Sequence, residues 1–220
     1  YWVIAPSLAV QIGTASLGAA AVLAAMVLLG LRSEFSPERV LLAGIALGAL
    51  ADAIVGFLTA SGDPRALFLM RWMSGSTYMV EMQTALTLLG VGMVLVTLAL
   101  FLRRWLDLLP LGPAPARGLG VPLGRTRFVL YGLAALMTAS ATLAVGPLSF
   151  VGLMAPHLAR ECGLKRSLPH MAGAACFGAA LMVLADWLGR TLLFPYQIPA
   201  GLLSALMGAP FLILLLGRRA

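Results

Sequence analysis

The two histidines and two cysteines of this sequence, His157, His170, Cys162 and Cys176, are of the kinds that bind metals or serve as nucleophiles and bases. Their spacing matches no common zinc pattern, and Cys176 falls within an apolar run. Two packed thiols and two unrelated histidines are the simpler account, and no metal site or cofactor is expected. The phosphate-binding pattern G-x-x-x-x-G-K-[ST] does not occur, and Lys165 is the sole lysine, so the chain is not expected to hydrolyse ATP itself. No nucleophile and base share a common depth, which argues against an enzyme. What remains is recognition and movement. The run GPLSFVGLMAPHLAR (146–160) bears on both: Gly146, Pro147, Gly152 and Pro156 are helix breakers, and His157 and Arg160 lie one turn apart.

Composition explains why that run is unusual. Of 220 residues, 61% are hydrophobic and 10% charged, with a mean hydropathy of +0.99. Soluble domains are nearer 45–50% apolar and about 25% charged, so the bilayer must be the solvent. The expected fold is an all-α polytopic membrane protein with six or seven transmembrane helices. Apolar spans of suitable length lie at about 8–31, 38–60, 80–102, 128–145, 170–189 and 198–217. Ser36-Pro37-Glu38 reads as a helix start, with an N-cap, a proline at the first helical position and an acid near the positive end of the dipole. Asp63-Pro64 opens a second, short helix that stops near Gly75. Residues 105–127 form one long loop that does not span. The chain opens on an apolar stretch without an initiator Met, and we expect a piece of something longer.

Charge gives the orientation. With the 32–39, 103–127 and 160–166 loops and the C-terminus on one side, that side holds 12 of the 15 basic residues; Arg65, Arg71 and Arg190 lie on the other. Such asymmetry puts the richer side in the cytoplasm, and topology accounts for the net charge of +7 better than nucleic-acid binding does. It also leaves only about 14 residues between Gly146 and Arg160. A helix of that length rises about 21 Å, short of a hydrocarbon core of about 30 Å. The stretch 146–160 is therefore expected to be a short, broken crossing, buried in protein or lining a water-filled path.

GPLSFVGLMAPHLAR resembles the motif of permease subunits of iron-siderophore and vitamin B12 ABC importers. RVLLAGIALGAL (39–50), MRWMSGSTY (70–78), LPLGPAPARGLGVPLGR (109–125) and LADWLGRTLLFPYQIPAGLLSALMGAPFLILLL (184–216) are similar to further stretches of that family, in the same order. The resemblance covers essentially the whole chain. RWMSGSTY and ADWLGRTLLFPYQIPAG look most like members that carry ferric hydroxamates, where two such units share one polypeptide. The resemblance implies a ten-helix unit, of which this chain is a single partial domain (1–220) lacking the first helices, seated in the bacterial inner membrane with a cytoplasmic C-terminus. It implies a second permease unit, an ATP-binding cassette ATPase below, a soluble or lipid-anchored substrate-binding protein above, and lipid around.

The same resemblance assigns residues. Gly112, Ala116, Arg117, Leu119 and Gly120 match the segment that docks on the ATPase, within the 105–127 coupling loop. Pro113 and Pro115 depart from it, and Pro115 interrupts a helix unless it lies in the first turn. Arg190 matches an arginine that meets an acidic group on the binding protein, with Arg71 and Arg65 as weaker candidates; an i, i+4 pair with Asp186 is the local alternative. Asp52, about 20 Å into its span, either lines the pathway or is a structural hydrogen-bonding group. Ser36 and Glu38 fall where the family has its cytoplasmic gate. Trp72 and Met73, with Met70 and Tyr78, either rim the outer mouth or simply pack. His157 is expected to hold the inner end of the short crossing by hydrogen bonds, with Arg160 as an interfacial anchor. Other cargoes of the same family, a zinc or manganese permease, and a proton-coupled carrier working through Asp52 are the competing functions.

Overall fold

The computed structural model describes residues 14, 17, 18, 20–22, 24, 25, 37–62, 70, 72–78 and 80–217. Among them the chain is helical throughout, with no strand. The helices are α1 (Pro37–Ala60), α2 (Met82–Phe101), α3 (Arg103–Leu108), α4 (Pro113–Gly118), α5 (Leu123–Val145), α6 (Val151–Glu161), α7 (Ser167–Thr191) and α8 (Ala200–Gly217), with a 3-10 turn at Leu109–Leu111. Residues 14, 17, 18, 20–22, 24 and 25, within the predicted first span, are also helical.

Four helices are long and apolar enough to cross a membrane, drawn from α1, α2, α5 and α7; the apolar part of α8, Ala200–Leu215, is shorter. Their outer faces carry Leu42, Phe57, Met82, Val94, Val183 and Ile213, all exposed on the chain by itself. That is what helices solvated by lipid or by further helices look like. The spans start close to where the hydropathy pattern puts them. One boundary differs: α5 begins at Leu123, so the loop is shorter than 105–127, and Arg125 and Arg127 stand in the first turns of a helix. Pro122 sets that boundary from its N-cap position, with its carbonyl accepting from Thr126 N at 2.9 Å.

The core is built around α6. It packs mainly on α7 and also on α8, while α2 packs on α5 and α8 on α7. Met154, Ala155 and Ala159 form its buried face. At 11 residues it rises only about 16 Å, so the short crossing is real in length, and Pro156 sits inside it. Gly152, read as a breaker, is ordinary helix with open space beside it. The breaking is done upstream. Gly146 (φ 82°) ends α5, residues 146–150 are non-helical, and Phe150 adopts a left-handed φ of 67° to start α6. Gly208 on α8 makes room for that turn, since a side chain there would run into the Phe150 ring stem. Ser204, 1% exposed, hydrogen-bonds to Gly201 O at 2.8 Å and Ser149 O at 3.2 Å, satisfying a carbonyl of the break.

Candidate functional site: the two ends of one helix bundle

Residues with recognition chemistry gather at opposite ends of the helices. At one end, α3, the 3-10 turn and α4 fold back as a small packed unit. Ala116 is fully buried, and Val121, Leu123, Leu108 and Leu109 close around it. Gly112 precedes α4 with φ 96° and ψ 167°, backbone that only glycine adopts readily. Pro113 and Pro115 both lie in the first turn of α4, the place a helix tolerates proline. The two prolines therefore start this helix and do not interrupt it. Leu119 N bonds to Pro115 O and Gly120 N to Arg117 O, at 3.0 and 2.9 Å, with Gly120 at φ 79°. The result is a rigid knuckle that presents Arg117, Leu119 and Gly120 outward; Leu119 is 61% exposed. Of the five predicted coupling residues, Ala116 is the buried support, Gly112 the partly covered hinge into the helix, and the other three form the face. The unit leans on the bundle through α3 against α7.

The turn between α6 and α7 lies at the same end. Gly163 (φ 80°) N bonds to Arg160 O at 2.9 Å, and Leu164 N reaches back to Ala159 O at 3.1 Å. That pair is a Schellman cap. Leu164 packs so closely on α7 that a side chain at Gly173 would strike it. The His170 ring then holds Leu164 O through Nδ1 at 3.1 Å. His157 is partly exposed and makes no hydrogen bond to any described residue. Within the described residues it is thus the His170 ring, and not the His157 ring, that hydrogen-bonds to a carbonyl of this turn. Arg160 is exposed. Cys162 and Cys176 are free and exposed on this chain, not packed in its core.

At the other end, three backbone segments meet with almost no side chain between them. Ser76 N bonds to Val145 O at 2.8 Å, and Gly201 N to Gly75 O at 3.0 Å. A Cβ on Gly75 (φ 70°) would lie 2.9 Å from Pro147 O; one on Gly146 would collide with Trp72 O, and one on Gly201 with Ser74 O. Gly189 makes the same approach to Ile198, whose N bonds to Gly189 O at 3.0 Å. Glycines at helix contacts let backbones approach in this way. Sequence reasoning singled out Gly146 and Pro147, and Gly75 as a helix stop, but missed Gly189 and Gly201; their signal, a glycine beside each segment end, is too common to read alone.

Beside this junction stands a charged cluster. Asp186 and Arg190 pair on α7, Nε–Oδ2 2.8 Å and Nη2–Oδ1 3.2 Å. Thr77 Oγ1 donates to Asp186 Oδ1 from the 72–78 loop, and the Tyr78 ring lies 5.7 Å from the Arg190 guanidinium carbon. The local pair exists, and the Arg190 side chain is still 47% exposed. Trp72 and Tyr78 are exposed here and Met73 partly so. Asp52 is exposed on α1 and bonds to no described residue. Ser36, Arg65 and Arg71 lie outside the described residues, as does the side chain of Glu38.

The chain as a whole is similar to known proteins. A model of the FecCD transport family matches residues 1–218. The iron(3+)-hydroxamate import system permease protein FhuB of Salmonella typhimurium is 49% identical over 205 residues, 93% of this chain and 30% of that protein. FhuB of Escherichia coli is 49% identical over 207 residues, 93% of this chain and 31% of that protein. The chain thus spans less than a third of the length of these relatives. In structure it is similar to a metal-chelate type ABC transporter in an inward-facing conformation: TM-score 0.79, 25% identity, covering 95% of this chain and 74% of that one.

Proposed function

We infer, from the premise that this chain belongs to the FecCD transport family, that it forms part of the permease of an ATP-driven importer that carries ferric hydroxamates across the bacterial inner membrane. The observation that carries the cargo is the 49% identity over 93% of the chain to a permease whose name states that cargo. The chain supplies helices and contact surfaces, and ATP hydrolysis belongs to a separate subunit.

The two ends then have separate tasks. The knuckle at 112–120 is the surface for the ATPase: a short rigid element on α7 transmits a rigid-body push, and its exposed leucine supplies an apolar contact. The Arg190 end is the surface for a soluble substrate-binding protein that presents a carboxylate. The basic excess at the knuckle end supports a cytoplasmic position for it and for the C-terminus. A second permease unit and lipid cover the exposed apolar faces, and Asp52, Trp72 and Met73 are candidates for the pathway between the units, with Ser36 and Glu38 near its inner gate. Uptake of labelled ferric hydroxamate, by full-length protein reconstituted with its ATPase and binding protein in proteoliposomes, tests the reading. Uptake that needs both partners and ATP, and that excess unlabelled ferric hydroxamate blocks but cobalamin does not, is expected. Uptake that follows a proton gradient without ATP overturns it.

A further inference from the structure

We propose that Asp186, Thr77 and Tyr78 are positioning residues that hold the Arg190 guanidinium with one edge committed and the other edge open for a partner's carboxylate. The inference rests on the docking role given to Arg190 above and adds how that contact is prepared.

The geometry is specific. A guanidinium has two edges that accept a carboxylate fork: the Nε/Nη2 side and the Nη1/Nη2 end. Asp186 occupies the first, with Oδ2 on Nε at 2.8 Å and Oδ1 on Nη2 at 3.2 Å. The guanidinium carbon stands over the Tyr78 ring, 5.7 Å from its centroid. Nη1 has no hydrogen-bond partner among the described residues, and about half of the side chain is open. An unheld arginine samples many rotamers; this one is held along one edge by Asp186 and stands over the Tyr78 ring, which leaves its Nη1 end for a partner.

Thr77 carries the argument beyond an ordinary i, i+4 pair. It lies 109 residues before Asp186 in sequence and belongs to a different segment. Its neighbour Ser76 is bonded to Val145 O, and Gly75 to Gly201. The carboxylate that orients Arg190 is therefore itself held by a segment packed into the glycine junction, and the position of the arginine is referred to that close backbone contact. Tyr78 comes from the same loop. Pre-ordering of this kind removes the cost of freezing a long side chain on binding, worth about two- to tenfold in affinity.

The test measures affinity of the binding protein for the complete transporter in nanodiscs. The variants are Thr77→Val, Thr77→Ser, Asp186→Ala and Arg190→Ala, with Thr77→Val and Asp186→Ala also made in the Arg190→Ala background. Co-elution of the permease with its ATPase on size exclusion reports that each variant is assembled. Thr77→Val and Asp186→Ala are expected to weaken docking about two- to tenfold, Thr77→Ser to restore it, and both losses to vanish once Arg190 is absent. A merely structural role predicts the same loss in either background, and that result overturns the proposal while leaving docking at Arg190 intact. Unchanged affinity in Arg190→Ala instead removes Arg190 from the docking surface, and the proposal falls with it.

Discussion

The carbonyl oxygen of Trp72 stands where a side chain on Gly146 would begin. Gly146 also has φ 82°. One residue therefore has to be glycine on two independent grounds, contact and conformation. Gly146→Ala is expected to cost about 2–4 kcal/mol, from overpacking against backbone and from left-handed strain. Six residues on, Gly152 lies inside α6 with nothing within 4 Å of a built Cβ, and Gly152→Ala is expected to be neutral or to stabilise by up to about 1 kcal/mol. Thermal unfolding of both variants in the same detergent checks the contrast; equal effects would show that the junction is not a close-packed backbone contact.

The contrast also shows how far the sequence could be read. Spans were legible because each is a long apolar run between arginines, and the short crossing was legible because charge left only about 14 residues for it. Gly146 and Gly152 look alike in sequence, each within the same motif. They differ in backbone conformation and in what stands beside them, and Trp72, 74 residues away in sequence, is not a neighbour that periodicity can reveal. The knuckle was likewise half legible. The proline positions raised the question whether α4 exists, but its burial of Ala116 depends on Val121 and Leu123 folding back over it.

His170 and His157 lie near the two ends of the α6–α7 turn and are expected to behave differently. The His170 ring hydrogen-bonds to Leu164 O, the residue that completes the cap of α6. His170→Ala is expected to destabilise by about 1 kcal/mol, the usual net worth of such a bond. His157→Ala, with no bond to a described residue to lose, is expected to unfold within about 0.5 kcal/mol of the parent. Denaturation midpoints of the two variants decide it, and a larger loss at His157 would return the anchoring role to that residue.

On the knuckle, support and contact separate by burial. Ala116 has no exposed surface, whereas Leu119 is 61% exposed on the same short segment. Ala116→Leu is expected to lower stability by about 1–3 kcal/mol through overpacking. Leu119→Asp is expected to leave the unfolding temperature within experimental scatter and to weaken association with the ATPase about tenfold or more. Co-purification of the ATPase with each variant, read beside thermal unfolding, distinguishes the two. An ATPase that binds Leu119→Asp as tightly as the parent would move the docking face elsewhere.

Thr126, three residues after Leu123 of the knuckle core, supplies a further test. It sits in the second turn of α5, 0% exposed, and its hydroxyl oxygen has no hydrogen-bond partner among the described residues. A buried hydroxyl without a partner costs about 1–3 kcal/mol relative to an apolar group of the same shape. Valine has that shape, and Val121 and Leu123 already make this region apolar. Thr126→Val is therefore expected to raise stability by about 1 kcal/mol or more, with Thr126→Ser, which keeps the hydroxyl and loses the methyl, falling below the parent. Chemical denaturation of the three proteins orders them directly. If valine instead destabilises while serine is tolerated, the hydroxyl has a bonding partner in the assembled transporter.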